Sequence, residues 1–303
     1  MRHFWPLKLK RRSLMKSRLF VFPLFLITSL VGAGENPHAV FVVGPTHYRP
    51  GKTIPALAKQ IEENFGWKTT VIQPEGNPEK NEKGISGLEA LKEADVAIFY
   101  LRFLTLPEEQ LAHIESYLKS GKPVVGFRTS THAFFYPEDH SLAKWNDGFG
   151  KDAMGSKYFI HGKGSTTVEP VQKQRGHEIF TGYNQAAPRK GAGTLYLSDL
   201  PENATVLMTG TGKFKRTGTV TNSFGTHELK AEMTDDVVWT WENRWGGRVF
   251  GTTLGHPGTF ADANFVRLFI NGIHWAAGKP VPPASAKIEP IGAKQGPEKN
   301  SQH

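Results

Sequence analysis

The chain has 303 residues, with 37 Lys and Arg against 28 Asp and Glu, so its formal net charge is +9. Seven of the basic residues lie in the first 18 positions; beyond residue 33, 30 basic residues face 28 acidic ones and the net charge falls to +2. A nearly neutral body gives no case for nucleic-acid binding. The sequence contains no cysteine, which excludes disulfides, thiolate metal sites and a Cys nucleophile.

The first 33 residues have the pattern of a secretory signal. A basic stretch ends at Arg18, an apolar run follows from Leu19 to Leu30, and small residues close at Ala33. The apolar run is too short for a stable membrane anchor. We therefore predict that residues 1–33 are a signal peptide, that the protein is exported to the periplasm or secreted, and that no stable membrane span remains afterwards. An uncleaved anchor is the alternative.

In the first half of the remaining chain, strand-like and helix-like segments alternate. The apolar patterns predict strands at 39–44, 67–72, 95–101 and 122–127, and helices at 53–65, 86–93 and 107–121. Short connections between these elements indicate an α/β fold with a parallel sheet and right-handed crossovers.

The second half is less regular. Residues 134–164 resemble an aromatic insertion laid over the strand ends, and short strands at 166–171, 194–198, 205–209 and 237–241 indicate antiparallel additions. A strand at 248–254 is followed by His256 in a Gly-Pro loop and by a helix between an N-cap at Asp262 and a stop at Gly278. We predict one domain, residues 38–279, and a disordered Pro-rich tail, residues 280–303.

Polar side chains follow several of the predicted strands at the point where each strand ends. Thr46 and His47 follow the first strand, Arg102 follows the third, residues 128–132 follow the fourth, and His256 follows the last. Because the carboxyl ends of parallel strands meet at one edge of a sheet, we expect these residues to line one crevice. His161, in the aromatic insertion, is expected to close over it.

Two segments resemble a known family. The sequences KPVVGFRTSTHAF at 122–134 and GGRVFGTTLGHPGTFADANFVRLFINGIHWAAG at 246–278 are similar to the trehalose-utilisation, or ThuA-like, family. The resemblance implies the fold of class I glutamine amidotransferases: a three-layer, flavodoxin-like sandwich, its central sheet mostly parallel with antiparallel additions. Those amidotransferases place a Cys nucleophile where this chain has Arg128, so it cannot be a Cys-dependent amidotransferase.

The resemblance also implies a small carbohydrate, or its keto derivative, as the ligand. From the residues, we assign His132 and His256 as an acid–base pair. The substrate-binding residues would be Thr46, His47, Arg102, Arg128, Thr129, Ser130 and His161, with the arginines facing an anionic or carbonyl oxygen.

Two other readings stay open: a non-catalytic sugar-binding module, and a zinc-dependent hydrolase that uses the histidine cluster. Because the sequence has no H-x-x-x-H or H-E-x-x-H pair, we assign neither a metal nor a cofactor. Whether the protein is an enzyme, and whether it forms a homo-oligomer, is left undecided by the sequence.

Overall fold

The structure is a computed structural model that describes Met1 and residues 36–44, 47–74 and 84–292. Apart from Met1, the predicted signal peptide lies outside the described residues, as does Thr46. No helix in the described parts of the chain is long and apolar enough to cross a membrane.

A nine-stranded sheet forms the centre of the fold, and a two-stranded hairpin stands beside it. The strands are β1 (His38–Val43), β2 (Lys68–Ile72), β3 (Val96–Tyr100), β4 (Val124–Phe127), β5 (Lys163–Pro170), β6 (Arg189–Gly191), β7 (Thr205–Lys213), β8 (Gly218–Asn222), β9 (Gly225–Leu229), β10 (Glu232–Glu242) and β11 (Arg248–Thr252). The large sheet has the order β2-β1-β3-β4-β11-β10-β7-β5-β6, and the hairpin pairs β8 with β9.

The first five strands of that order are parallel, and the other four join by antiparallel pairing. An order of 2-1-3-4 followed by one further parallel strand is that of flavodoxin-like sheets. The predicted fold class, a mostly parallel central sheet with antiparallel additions, is therefore confirmed.

Helices cover both faces of the parallel strands. They are α1 (Pro50–Phe65), α2 (Glu108–Lys119), α3 (Trp145–Gly148), α4 (Pro257–Phe260) and α5 (Ala263–Ala276). Alternate residues of β1 enter opposite cores: Phe41 packs with α1 and α5, whereas Val42 packs with α2. This two-sided burial explains why β1 is apolar throughout instead of alternating with polar residues. Asp262 caps α5 as predicted, accepting a hydrogen bond from the Asn264 N–H at 2.9 Å.

Two predicted elements differ from the structure. The helix expected at 86–93 is a 3₁₀ turn, Leu88–Glu93. The strand expected at 194–198 makes only one bridge, between Tyr196 and His161. Side chains bind the backbone at both ends of this segment: Arg128 donates to the Thr194 carbonyl at 3.5 Å, and Asp235 accepts from the Ser198 N–H at 3.3 Å.

Residues 280–292, expected to be part of a disordered tail, instead lie against the domain. Gln60 of α1 donates to the Glu289 carbonyl at 2.9 Å and accepts from its N–H at 3.0 Å. Arg267 of α5 donates to the carbonyls of Pro283 and Ala286. The high proline content of this segment indicated disorder. Composition does not show that side chains distant in the sequence bind its backbone. Residues 293–303 lie outside the described part of the chain.

Candidate functional site

A cluster of polar and aromatic side chains lies at the carboxyl ends of the parallel strands. Tyr48 follows β1, Arg102 follows β3, Arg128 directly follows β4, and His256 follows β11. The strand order reverses between β1 and β3, since β2 lies on one side of β1 and β3 on the other. Open α/β sheets bind ligands at such a switch point.

Arg128 is the buried centre of this cluster, with a side chain that is 1% exposed. Its Nη1 donates to the Thr253 carbonyl at 3.0 Å, and its Nη2 donates to Tyr48 Oη at 3.2 Å. The guanidinium carbon lies 4.5 Å from the ring centroids of both Tyr48 and Tyr196, so the cation is held between two aromatic faces. Arg128 therefore organises the centre of this cluster through contacts within the protein.

His132 ends the 3₁₀ turn Arg128–His132 and is 4% exposed. Its ring centroid lies 4.4 Å from that of Tyr158 and 4.7 Å from that of Phe103, and its Nδ1 is 3.2 Å from Thr131 Oγ1. Burial, together with the positive charges of Arg102 and Arg128, holds the pKa of His132 well below its usual value. The ring is therefore neutral at neutral pH.

The aromatic insertion adds a second histidine with a tyrosine partner. His161 Nδ1 is 2.6 Å from Tyr158 Oη. Burial and the charges of Arg128, His47 and Arg102 lower the pKa of His161. The charges of His161 and His47 also lower the pKa of His132, so three of the four predicted histidines influence one another electrostatically.

A residue of the β8–β9 hairpin packs beside the rings of Tyr158 and Phe103. Phe224, in the turn between β8 and β9, has its ring centroid 4.9 Å from that of Tyr158 and 6.2 Å from that of Phe103. Asn222 fixes the hairpin by donating to the Phe159 carbonyl at 3.0 Å. His132 therefore lies in a largely aromatic surround, as suits a site that binds the apolar faces of a ligand.

His47 and His256 flank Tyr48 at the rim of the crevice. The His47 and Tyr48 ring centroids are 4.1 Å apart, and those of Tyr48 and His256 are 5.3 Å apart. His256 also caps α4, because its Nδ1 accepts the Gly258 N–H at 3.2 Å. His47 and His256 are therefore brought together around Tyr48, and His256 has a structural role as well.

Two predicted substrate-binding residues lie beneath the crevice. Thr129 and Ser130 are 0% exposed. Ser130 Oγ donates to the Phe99 carbonyl at 2.8 Å and accepts from the Leu101 N–H at 3.1 Å, so it ties the turn to β3. Neither hydroxyl reaches a ligand in this arrangement. The prediction of direct substrate contact does not fit their burial.

Backbone strain is concentrated in the same place. Among the described residues, positive φ angles outside glycine occur at Tyr48 (65°), Arg49 (49°), Phe103 (47°) and Arg128 (45°). All four follow the carboxyl ends of β1, β3 or β4. A non-glycine residue with such a φ costs roughly 1–3 kcal/mol and persists only where the surrounding structure enforces it. Residues of this kind are typical of functional sites.

Sequence reasoning missed the tyrosines of the site. Tyr48 stands next to a predicted residue, His47, and could have been found from that position. Tyr158 and Tyr196 belong to the irregular middle third, which has no periodicity to place them. Within the described residues, no group of three or more His, Asp or Glu side chains is placed to hold a metal ion.

Comparison with known proteins identifies the family. The model of the ThuA family, described as trehalose utilisation, matches residues 40–276. A ThuA-like protein from Parabacteroides merdae superimposes with a TM-score of 0.56 at 18% identity, over 84% of this chain and 97% of that one. Another from Bacteroides uniformis gives 0.52 at 15% identity, over 80% and 93%. No curated protein matches the chain.

At these identities the two solved structures show the fold alone, and they agree with the sheet described above. The family match carries more weight, because it spans the chain from within β1 to the end of α5. It includes the segment at 122–134 and all but the last two residues of the segment at 246–278. The chain belongs to the ThuA family, whose description is trehalose utilisation.

Proposed function

We propose that this protein is exported and acts on a small carbohydrate, or a keto derivative of one, in the crevice at the strand ends. The observation that carries the proposal is the setting of His132. A neutral imidazole lies among aromatic rings and next to two arginines. Export is supported by the pattern of residues 1–33, and the sugar class by the family description.

The chemistry of this setting suits a sugar. Aromatic rings such as those of Tyr158 and Phe224 can pack against the C–H faces of a pyranose. A neutral imidazole can donate to or accept from a hydroxyl, and because Thr131 engages Nδ1 of His132, Nε2 is the nitrogen that would serve the substrate. Arg102 would stabilise negative charge that develops on a sugar oxygen.

His256 is the second acid–base residue of the proposal. Since its Nδ1 accepts the Gly258 N–H, that nitrogen is unprotonated and Nε2 carries the proton in the neutral ring. The cap also fixes the direction of the ring at the N-terminus of α4. An imidazole that is held in one tautomer and one direction is suited to proton exchange with a hydroxyl.

A non-catalytic sugar-binding module is the second candidate. It is favoured by the burial of Arg128, which is 1% exposed and holds Thr194, Thr253 and Tyr48 in place by hydrogen bonds. A buried cation of this kind can shape a sugar-binding site without taking part in a reaction. Such a protein would bind the ligand but release no product.

The test is a panel of trehalose, other disaccharides and 3-keto-glycosides, read by thermal shift and by product formation. We predict that His132→Gln lowers turnover by about 100-fold or more, the usual contribution of an acid–base residue. The matched control is His113→Gln, on an exposed position of α2, which should leave both readings unchanged. Binding without product would favour the binding module, and the absence of binding across the panel would refute the sugar assignment.

A further inference from the structure

Tyr48 combines partial exposure, an unusual backbone conformation and a hydrogen bond from a buried arginine. It is only partly buried, its φ is 65°, and it lies one residue before Arg49, the N-cap of α1. Its Oη accepts a hydrogen bond from Arg128 Nη2 at 3.2 Å and lies 3.4 Å from Tyr196 Oη. The phenol oxygen therefore has two hydrogen-bonding partners, one of them a permanent cation.

We propose that Tyr48 is a further acid–base group of this site, beside His132 and His256, and that Arg128 and Tyr196 hold it ready for ionisation. The inference rests on the proposed function. Tyr48 first gives its phenolic proton to solvent; the O–H bond of a sugar hydroxyl then breaks, the proton moves to the phenolate Oη of Tyr48, and the electron pair remains on the sugar oxygen. The new negative charge faces the positively charged arginines, and no further reactant is required.

The charges around Tyr48 favour this role. The titratable and charged groups that face it from the surrounding elements are His47, Tyr100, Arg102, Arg128, Tyr158, Tyr196 and His256. None of these side chains is a carboxylate, and the two arginines are cations at any working pH. Burial works to raise the pKa of Tyr48, but the charge of Arg128 and the hydrogen bonds from Tyr196 and Arg128 outweigh it, so the pKa lies below its usual value.

The neighbouring tyrosine is suited to the opposite role. Tyr196 is 4% exposed, and burial raises its pKa well above the usual value. Tyr196 therefore keeps its proton and donates it towards the oxygen of Tyr48. A donor of this kind stabilises a phenolate, and a charge-assisted bond is about twice as strong as a neutral one.

The chain offers a direct spectroscopic test, because it has seven tyrosines and burial raises the pKa of the other six. Titration of the purified protein, followed by tyrosinate ultraviolet absorbance, should show one tyrosine that ionises before the rest. Tyr48→Phe should abolish that first step. Tyr196→Phe should keep it but move it to higher pH. Tyr183→Phe, which alters a buried tyrosine packed on Phe180 and Phe265, should leave it in place.

The kinetic arm uses whichever sugar of the panel is turned over. We predict that kcat/KM of the wild type rises with pH as Tyr48 ionises, and that Tyr48→Phe lowers it by about 100- to 10,000-fold with loss of that rise. An unchanged pH profile in Tyr48→Phe would overturn the inference, as would the absence of an early tyrosine step. An early step without turnover of any sugar would support the ionisable phenol and count against the proposed function instead.

Discussion

His274 lies in the last turn of α5 with its ring against Phe65 and Trp67, at centroid separations of 5.0 and 4.4 Å. Its Nδ1 is 2.9 Å from the Pro280 carbonyl, an acceptor, so Nδ1 must carry the proton. Nε2 is buried and has no hydrogen-bond partner among the described residues. Protonation of Nε2 would place a charge in an apolar setting, and burial accordingly lowers the pKa of His274 to about 4.

We predict that this histidine makes folding stability depend on pH. Its pKa is about 6.5 in the unfolded chain and about 4 in the folded one, so the unfolded chain binds the extra proton first. The full stability is present above pH 6.5 and is lost as pH falls towards 4, by up to about 3 kcal/mol. Thermal unfolding across this range should show a flatter dependence for His274→Gln. The control variant His113→Gln should show the same dependence of stability on pH as the wild type. If the wild type and both variants showed the same dependence, the prediction would be contradicted.

The helix α5 approaches the sheet closely because a glycine faces a phenylalanine. A Cβ added at Gly272 would overlap the ring of Phe250 in β11, which is 0% exposed. Gly272 lies within α5, where a glycine weakens the helix by about 1 kcal/mol relative to Ala. The close contact with Phe250 is the structural reason for a glycine at this position. It also sets the distance of α5 from the strand that leads to His256.

We predict that Gly272→Ala destabilises the protein although Ala is the better helix former. Overpacking of a core costs about 1–3 kcal/mol, which exceeds the helix-propensity gain. Combining Gly272→Ala with Phe250→Leu should cost less than the sum of the two single changes, since the smaller side chain makes room for the methyl group. Gly148→Ala in α3 is the matched control, because a Cβ there meets no atom within 4 Å. Denaturant unfolding of the three single variants and the double variant checks these expectations. If the free-energy costs of Gly272→Ala and Phe250→Leu simply added in the double variant, the packing argument would be refuted.

At the scale of the whole molecule, the sequence predicted the parallel half of the fold better than the rest. Strands such as β1 are buried on both faces and therefore read as unbroken apolar runs, and their ends located His132 and Arg102. Tyr158 and Tyr196 reach the site through long-range contacts that leave no local pattern. The positive φ of Arg128 is equally hidden, because the residue is not a glycine. The site was thus predictable where it follows regular strands.

The segment 280–292 connects the two helices on one face of the sheet with α4. It binds α1 through Gln60 and Asn64, and α5 through Arg267. At its far end the Ile291 N–H donates to the carbonyl of Phe260 in α4 at 2.7 Å, and the Ile291 side chain is 6% exposed. Because α4 begins directly after His256, the segment supports the element that fixes one rim of the crevice.

We predict that a chain ending at Lys279 is less stable than one ending at Gly292, because it loses these hydrogen bonds and exposes the surface that Ile291 covers. Each net hydrogen bond contributes about 1 kcal/mol and the buried isoleucine about 2 kcal/mol. For a domain of this size, a net loss of a few kcal/mol lowers Tm by about 5–10 °C. Equal Tm values in the two truncations would show that the segment contributes nothing. In the full chain, Arg267→Met should lower Tm by a smaller amount, because the segment would remain attached through Gln60 and Ile291. Tryptic cleavage at Lys287 should become faster, because the hydrogen bonds from Arg267 to the carbonyls of Pro283 and Ala286 are lost.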